Sequence, residues 1–227
     1  CTHGTVSNPD IVSDLHLSLP TVTNTTRELL ESGLLRDLGE MQSTGGRRAR
    51  ALCAASDYRF SIGLDITRNH LGILLLNLTG DIIKYERMQL GFSRSSAYFS
   101  EVCQKIDDFL LETEISEEQI LGLGISLPGI VDPVQKMITY SHALGVRDLP
   151  FSEIQSYFPW HCTFLNDANA GAFAEGIGSD LPSSFFYLSL SNTVGGAIFH
   201  DGNLLPGDAF RCGEAGHMTL IPDGKPC

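Results

Sequence analysis

The residues with the greatest potential for chemistry lie in two short runs in the second half of the chain. The first run, Gly213–His217, reads Gly-Glu-Ala-Gly-His and places a carboxylate and an imidazole three residues apart. The second run, Asn166–Ala170, reads Asn-Asp-Ala-Asn-Ala and adds another carboxylate together with amide groups. A carboxylate and an imidazole can act as a general acid and base, so the two runs are the candidate functional site.

The amino-acid composition limits the classes of protein that could carry such a site. The chain has 227 residues, enough for one large domain or two smaller ones, and 42% of them are hydrophobic, which allows a buried core. The formal net charge of -12 argues against nucleic-acid binding over the whole surface but permits a local basic patch. No apolar run approaches the roughly 18 residues needed to span a membrane. The start lacks a signal segment, so the sequence predicts a cytoplasmic protein with no membrane partner.

The cysteines and the chain ends say less about function than these motifs do. The six cysteines are scattered without the close spacing of a small disulfide scaffold, which favours buried or incidental thiols. The sequence opens on Cys1 rather than Met and stops on Cys227, shortly after a stretch typical of a loop. These features predict a fragment of a longer protein.

The first fifty residues predict two short helices separated by a tight turn. Asn8 is a suitable N-cap for the first helix, Ser18 for the second, and Gly33 is suited to end the second. Such a pair resembles a helix-turn-helix, in which residues near the start of the second helix reach base edges. The polar residues expected there are Ser18, Thr21 and Asn24. An ordinary helical hairpin explains the same pattern equally well.

A predicted hairpin after these helices favours DNA binding. Residues 34–37 are typical of a strand, and residues 49–54 of a return strand after a glycine-containing turn. Arg47, Arg48 and Arg50 cluster on this hairpin in an otherwise acidic chain, and such arginines can contact phosphates or a narrow minor groove. We therefore expect residues 1–56 to form a winged helix-turn-helix that lacks its first helix.

The remainder alternates strand and helix patterns, which predicts an α/β body with a mixed sheet. Helical spacing is clear over residues 97–112 and again over residues 168–176. Strands are expected at residues 60–66, 71–78, 82–86, 121–127, 162–165, 185–190 and 194–200.

The order of four motifs resembles the ROK family of repressors and sugar kinases. The motifs are Ser43–Arg48, Leu127–Pro133, Asn166–Ala170 and Gly213–Met218. The resemblance is to its winged helix-turn-helix regulators, of the kind that respond to N-acetylglucosamine, xylose or glucose. It implies an actin-like, sugar-kinase ATPase-type body, truncated at the C-terminus. The expected lobes are residues 57–160 and residues 161–227, the latter incomplete.

The resemblance also raises the question of kinase activity. Asp167 stands at the position of the family's catalytic base. The first phosphate loop, Asp-x-Gly-Gly-Thr-Lys in family kinases, reads Asp65–His70 without either glycine, and the second is degraded at Asn192–Gly196. Glycine allows a backbone to approach phosphate closely. We therefore expect a sugar-responsive, DNA-binding repressor that is not an enzyme and binds no ATP. The alternatives are a ROK kinase that phosphorylates a hexose or N-acetylhexosamine with ATP, and an interaction protein whose cleft is a relic.

Ligands and partners follow from the same resemblance. It implies that a sugar effector binds Asn166, Asp167, Glu214 and His217, and that residues 139–145 line the site. It also implies a structural zinc ion held by His217 and Cys227, with further ligands beyond residue 227, since a tetrahedral site needs four. Family regulators act on operator DNA as homodimers or homotetramers.

Overall fold

A computed structural model describes residues 4–41, 49–177, 182–190, 193–219, 221–222 and 224. The chain forms two compact units, the first comprising Cys1–Ser61, Leu75–Lys84 and Glu117–Leu121, and the second Ile62–Leu74, Tyr85–Ser116 and Gly122–Cys227. The domain boundaries expected after residues 56 and 160 stay predictions. No helix in the described ranges has the length and apolar character needed to cross a membrane.

Helix α1 (Asn8–Leu15) begins one residue earlier than the sequence predicted. Its N-cap is Ser7, and Asn8 is the first helical residue. The Ser7 hydroxyl accepts a hydrogen bond from the Asp10 amide (3.4 Å), and the Ser7 amide donates to the Asp10 carboxylate (2.8 Å). This reciprocal capping box satisfies two backbone donors at once, which Asn8 at the N-cap would not achieve.

Helix α2 (Leu19–Glu31) agrees with the sequence at both ends. The Ser18 hydroxyl accepts a hydrogen bond from the Thr21 amide (3.4 Å), and Gly33 follows the helix with φ of +79°. Val22 and Thr26 are buried, as their helical spacing predicted. The Thr26 hydroxyl donates to the Val22 carbonyl (2.8 Å), which satisfies the buried polar group.

An antiparallel pair of strands follows, β1 (Leu35–Glu40) and β2 (Arg50–Ala54), with a β-bulge between Asp37 and Gly39. Val6 adds a short bridge to Leu52 through two backbone hydrogen bonds of 2.9 and 2.7 Å. The predicted wing tip, with Arg47 and Arg48, lies outside the described residues.

A five-stranded sheet contains β3 (Phe60–Ile66), β4 (His70–Asn77), β5 (Ile82–Gln89), β6 (Ile120–Leu127) and β10 (Cys162–Asn166). Its strand order is β10-β6-β3-β4-β5, and β10 runs parallel to β6. Helix α3 (Ser96–Leu111) lies between β5 and β6 in sequence and buries one apolar face, which includes Tyr98, Phe99, Val102, Ile106, Phe109 and Leu110.

A second sheet, which the sequence did not predict, lies between β6 and β10 in the chain. It consists of three antiparallel strands, β7 (Ile130–Asp132), β8 (Met137–Ser141) and β9 (Val146–Pro150), and is followed by the short helix α4 (Phe151–Gln155). The buried Asp132 carboxylate accepts hydrogen bonds from the amides of Val134 and Gln135 (2.9 Å each), which fixes the β7–β8 turn.

Helix α5 (Asp167–Gly176) follows β10 directly and packs on a third sheet. That sheet contains β11 (Ser184–Leu190), β12 (Val194–His200) and β13 (Asn203–Leu204), all antiparallel. Gly171 permits the close packing, because a Cβ there would lie 2.6 Å from the Tyr187 hydroxyl. The contact fixes the direction of α5 and therefore the position of its first residue.

Candidate functional site

Asn166 holds the corner between β10 and α5. Its side-chain oxygen accepts hydrogen bonds from the amides of Ala168 (2.9 Å) and Asn169 (3.2 Å), which caps the helix. Its side-chain nitrogen donates to the Gly129 carbonyl (2.9 Å). One amide hydrogen of this side chain remains for a ligand, so Asn166 acts mainly as an anchor for the corner.

Asp167 is the first residue of α5. One of its carboxylate oxygens accepts a hydrogen bond from the Ala168 amide (2.9 Å), and the helix N-terminus favours its negative charge. The other oxygen makes no hydrogen bond to any described residue. Asp167 therefore combines a fixed position with acceptor capacity that is still open.

A second carboxylate, Asp65 at the end of β3, is electrostatically coupled to Asp167. Partial desolvation raises the pKa of Asp65 above its ordinary value although the residue is still exposed to solvent; a hydrogen bond from the Ser126 hydroxyl (3.3 Å) opposes the shift, and the charge of Asp167 adds to it. In the sequence, Asp65 stands out only as the first residue of an altered loop. Its position at the end of a buried strand was the available signal.

The Glu214–His217 segment lies directly on the backbone of β12. Gly213 has φ of +85°, and a Cβ there would come within 2.7 Å of the Gly196 carbonyl oxygen. A Cβ on Gly216 would overlap the Val194 carbonyl oxygen. The two glycines of the motif are therefore required by close packing, and this packing positions the two polar side chains.

Glu214 and His217 face solvent from that segment. His217 belongs to a short 3-10 helix, residues 215–217, and its Nε2 lies 3.7 Å from the Glu214 Oε2. The side chains are 86% exposed for His217 and 41% exposed for Glu214. They are accessible to a ligand and are not consumed by a buried ion pair.

The start of β12 brings the two predicted motifs near each other. A Cβ added at Gly195 would lie 3.4 Å from the Ala168 Cβ, while one added at Gly196 would lie 2.5 Å from the Gly213 carbonyl oxygen on the other face. Within the described ranges, no hydrogen bond or ion pair joins Asp167 to Glu214 or His217. The motifs thus approach the same strand from its two faces.

A cavity of about 350 Å³ lies along the β8–β9 hairpin. It is lined by Tyr140, Ser141, His142, Gly145, Val146 and Arg147. The hairpin adjoins Gly129, where a Cβ would lie 2.6 Å from the Tyr140 carbonyl oxygen. Because the Gly129 carbonyl accepts the hydrogen bond from Asn166, the cavity is linked to the Asn166–Asp167 corner through a single residue.

The turn between β3 and β4 is closed by its own hydrogen bonds. The Thr67 amide donates to the His70 carbonyl (3.0 Å), and the His70 amide donates to the Thr67 hydroxyl (3.0 Å). The carbonyls of Asn69 and Arg68 accept hydrogen bonds from the amides of Leu90 and Phe92 (3.0 Å each). The turn is therefore a compact hairpin tied to the chain after β5.

The glycines expected in a second phosphate loop lie inside a strand. Gly195 pairs with Ser189 and Gly196 with Leu188 in the antiparallel β11–β12 ladder. Asn192, the first residue of the corresponding run, lies outside the described residues. The absence of side chains at these glycines serves the packing of α5 and of the Glu214–His217 segment.

The described residues do not form a metal site by themselves. No group of three or more His, Cys, Asp or Glu side chains in the described ranges is placed to hold a metal ion. His217 supplies one accessible imidazole, and Cys227 lies outside those ranges. A tetrahedral zinc site needs four ligands, so the expected zinc stays a prediction.

In the first unit, the predicted DNA-contacting residues of α2 are exposed. These residues are Ser18, Thr21 and Asn24. The Ser18 and Thr21 hydroxyls lie 2.8 Å apart, which leaves both at the surface near the start of the helix. Arg50 forms an ion pair with Asp37 across the hairpin, so part of its charge is compensated.

A family model described as the ROK family matches residues 61–227. The chain belongs to the ROK family. It is 28% identical over 214 residues to the xylose repressor of Bacillus spizizenii, covering 93% of this chain and 56% of that protein. It is 26% identical over 229 residues to the transcriptional dual regulator NagC of Escherichia coli K12, covering 99% of this chain and 56% of NagC. The chain thus spans about half the length of these curated relatives.

Solved structures agree on the fold. A ROK family transcriptional regulator, described as a homologue of the Escherichia coli MLC protein, superposes with a TM-score of 0.77 over 98% of this chain and 57% of that chain, at 23% identity. A ROK family glucokinase from Streptomyces griseus, in complex with glucose and AMPPNP, gives a TM-score of 0.61 over 73% of this chain and 52% of that chain, at 21% identity. The predicted sugar-kinase-like α/β fold of the body is therefore confirmed.

Proposed function

We propose that this chain is a sugar-responsive transcriptional repressor of carbohydrate-metabolism genes, in which a winged helix-turn-helix binds operator DNA and the ROK body binds a sugar. The observation that supports it best is a contrast within the body. The polar groups of the sugar side are present and open, whereas the turn at the position of the first phosphate loop is closed by its own hydrogen bonds. The names of the relatives, xylose repressor and NagC, point the same way.

The DNA-binding head is supported by the elements of the first unit. Helices α1 and α2 are joined by a turn with His16 in a left-handed conformation (φ of +54°), and the β1–β2 hairpin follows them. The exposed start of α2 offers Ser18, Thr21 and Asn24 to base edges. Arg47, Arg48 and Arg50 of the hairpin would contact phosphates or the minor groove. Because Arg50 is already paired with Asp37, Arg47 and Arg48 carry most of this contribution.

Sugar binding is supported by the chemistry of four side chains. Asp167 and Glu214 supply acceptors for hydroxyl groups, while Asn166 and His217 supply a donor and an imidazole. Charge-assisted hydrogen bonds of this kind are stronger than neutral ones. We further propose that His217 and Cys227 contribute to a structural zinc site, with the remaining ligands supplied from outside this chain.

The proposed protein is not an enzyme, and Asp167 accepts a hydrogen bond from a sugar hydroxyl rather than removing its proton for phosphoryl transfer. Phosphoryl transfer depends on groups that position and neutralise the phosphates of ATP. In the turn between β3 and β4, hydrogen bonds within the protein already engage the backbone amides of Thr67 and His70. The rival function, a sugar kinase, is favoured by Asp167 and by the ROK kinases of similar fold.

An activity assay separates these two functions. The purified chain is incubated with ATP, Mg²⁺ and, in turn, glucose, mannose, xylose, N-acetylglucosamine and N-acetylmannosamine. We expect no phosphorylation above that of an Asp167→Asn variant. Turnover that depends on Asp167 would establish the kinase and refute the non-enzymatic proposal.

Effector and operator binding are proposed to be coupled. Coupling of this kind is reciprocal, so a sugar that changes DNA affinity is itself bound with an affinity that DNA changes by the same factor. A homodimer or homotetramer would match two half-sites about one or two helical turns apart. If sugars that bind the body leave operator affinity unchanged in a mobility-shift titration, this coupling is absent.

The wing is tested through the salt dependence of DNA binding. Replacing Arg47 and Arg48 by Ala is expected to weaken binding to all sequences and to lower the slope of log K against log salt by about one for each phosphate that the wing no longer neutralises. The matched control is Arg59→Ala, which removes an arginine outside the predicted wing. An unchanged slope in the double variant would show that the wing does not touch phosphate.

A further inference from the structure

Three arginines of the proposed DNA-binding head, residues 1–56, lie within the described ranges, and each of them forms an ion pair with a carboxylate. The pairs are Arg27 with Glu31, Arg36 with Asp57, and Arg50 with Asp37. An arginine whose charge is compensated in this way attracts DNA phosphates less than a free one does. Of these three pairs, only that of Arg50 and Asp37 has both members on the β1–β2 hairpin.

The register of the hairpin places two carboxylates around Arg50. Asp37 is opposite Leu52 in the ladder, two residues along β2 from Arg50, and such diagonal neighbours are within reach of a long side chain. The bulge between Asp37 and Gly39 then sets Glu40 directly opposite Arg50. The positive charge of Arg50 therefore stands in an acidic setting on the strand itself.

Asp37 is the fixed member of its ion pair. One of its carboxylate oxygens accepts a hydrogen bond from the amide of Gly39 (2.8 Å), which has φ of +95°, and the other oxygen pairs with Arg50. The exposed fraction of the side chain is 19% for Asp37 and 74% for Arg50. Because the bulge anchors Asp37, the Arg50 guanidinium has to leave this carboxylate before it can approach a phosphate.

We propose that Asp37 is a specificity-determining residue for DNA binding, because it holds Arg50 away from phosphates and so limits attraction to DNA of any sequence. The inference rests on the proposed DNA-binding function. Phosphate contacts carry no sequence information directly, whereas contacts to base edges do. On DNA of mixed sequence, the head can adopt any register in which a freed Arg50 meets a phosphate, while base contacts fix the register on a selected site. Loss of the Asp37 charge therefore favours mixed-sequence DNA more than a selected site.

The test measures the binding of Asp37→Asn to two duplexes over a range of salt concentrations. One duplex has a mixed sequence, and the other is the site that the unmodified full chain selects from random duplexes. We expect the affinity for the mixed-sequence duplex to rise by about three- to tenfold at low salt, and the slope of log K against log salt to steepen by about 0.9, as for one further phosphate contact. The affinity for the selected site should rise less, so the ratio of the two affinities should fall.

Two features of the test guard against a loss of folding. Asparagine can still accept the hydrogen bond from the Gly39 amide, so the bulge is kept while the charge is lost. Asp37→Ser also keeps an acceptor at this position and should steepen the slope by a similar amount. An unchanged Tm in thermal unfolding establishes that each variant is folded.

Combining Asp37→Asn with Arg50→Gln determines whether Asp37 acts through Arg50. The slope of this double variant should return to that of the unmodified protein, because no arginine has been freed. The control is Asp81→Asn, which removes one negative charge from the first unit at a carboxylate that accepts hydrogen bonds from Asn77 and Thr79. This control should leave both DNA affinities within about twofold.

The outcomes separate this inference from the function on which it rests. An unchanged salt slope in Asp37→Asn would refute it. Lower affinity for both duplexes would contradict it as well, since Asp37 would then orient Arg50 onto DNA. An equal gain on both duplexes would show that Asp37 does not set specificity, and a gain that persists in the double variant would exclude Arg50 as its cause. If the unmodified chain binds no duplex, the proposed DNA-binding function itself fails.

Discussion

The β3–β4 turn and the sugar-side motifs of the ROK body differ in how their polar groups are used. In the β3–β4 turn, Thr67 and His70 hydrogen-bond to each other, and neighbouring carbonyls bond to the chain after β5. In the sugar-side motifs, Asp167 keeps an open oxygen, and Glu214 and His217 are exposed. Backbone donors already bonded within the protein cannot also bind a phosphate without breaking those bonds. This contrast supports the proposal that the body recognises a sugar and binds no nucleotide.

The two regions also differ in their glycines. Gly213 and Gly216 remain on the sugar side, where the backbone of β12 leaves no room for a Cβ. The turn at Thr67–His70 contains no glycine and is closed by its own hydrogen bonds. Glycines therefore position the Glu214–His217 segment, whereas the Thr67–His70 turn closes without any.

Asp167→Asn should produce the largest loss on the sugar side. Asparagine can still accept the hydrogen bond from the Ala168 amide, and the N-cap formed by Asn166 is untouched, while the charge is lost. We expect the affinity for the tightest-binding of the sugars used in the activity assay to fall by about tenfold to a hundredfold, as for loss of a charge-assisted hydrogen bond. Calorimetry measures the change, with Asp208→Asn as the control. An unchanged affinity would remove Asp167 from the sugar site.

Gly216→Ala tests whether packing on β12 positions Glu214 and His217. The new Cβ would overlap the Val194 carbonyl oxygen, so the segment must shift. Overpacking of this kind costs about 1–3 kcal/mol, and we expect sugar affinity to fall by about tenfold. Gly91→Ala is the control, because a Cβ added at Gly91 would lie 4.0 Å from the Arg68 carbonyl oxygen and would cause no overlap. Equal affinities in the two variants would contradict a positioning role for Gly216.

Thr67→Ala probes the β3–β4 turn, where we expect a change in protein stability without a change in sugar affinity. The substitution removes the hydroxyl that accepts from the His70 amide and donates to its carbonyl (3.0 and 3.1 Å). Losing such bonds costs about 1 kcal/mol, which lowers Tm by about 2–4 °C in a protein of this size. Sugar affinity should stay within about twofold. A larger loss of sugar affinity would mean that this turn still serves the ligand site.

Asp65→Asn should have the smallest effect on Tm, and the size of this effect depends on pH. Because burial and the charge of Asp167 raise the pKa of Asp65 in the folded state, the folded protein binds this proton more tightly than the unfolded chain does. Its contribution to stability is full at low pH and is lost as pH rises through the folded pKa. We expect Asp65→Asn to raise Tm at pH 7 and to lose this advantage below about pH 4.

Asp81→Asn provides a control of opposite sign for this pH series. Hydrogen bonds from Thr79 and Asn77 lower the pKa of Asp81, so its carboxylate stabilises the fold at neutral pH. That variant should lower Tm at pH 7 and converge with the unmodified protein as pH falls. If the two variants shift Tm in the same direction at pH 7, the electrostatic interpretation of Asp65 is wrong.

Elements with a strong local pattern were predictable from the sequence. Strands β3 and β12 have the predicted bounds, Phe60–Ile66 and Val194–His200, because they combine apolar or β-branched residues with clear turn signals on either side. Both ends of helix α3 (Ser96–Leu111) lie one residue earlier than the predicted range of residues 97–112. This difference is within the usual uncertainty of helix ends. The Asn166–Asp167 corner was likewise predictable as the end of a strand and the start of a helix.

The β7–β8–β9 sheet and the cavity it carries were not predictable in this way. Its strands are only three to five residues long, and two buried polar residues, Asp132 and Ser141, break the apolar alternation. Arg147 gives no signal on its own, since an exposed arginine is common. Its contact with Tyr140 arises only when β8 and β9 pair.

The packing of the Glu214–His217 segment also depends on distant contacts. The residues that Gly213 and Gly216 touch, Gly196 and Val194, lie about twenty positions earlier in the chain. Sequence pattern showed the motif but not the strand that holds it. Such non-local contacts are set by the tertiary fold and leave no local periodicity.

The most direct test of the central proposal measures operator affinity with and without sugar. The full chain first selects a DNA site from random duplexes, and a mobility-shift titration then compares affinities in the absence and presence of the tightest-binding sugar. We expect the sugar to change the DNA dissociation constant by about tenfold or more, and Asp167→Asn to remove this response while keeping sugar-free DNA affinity. Equal DNA affinities with and without a sugar that demonstrably binds would contradict the proposal.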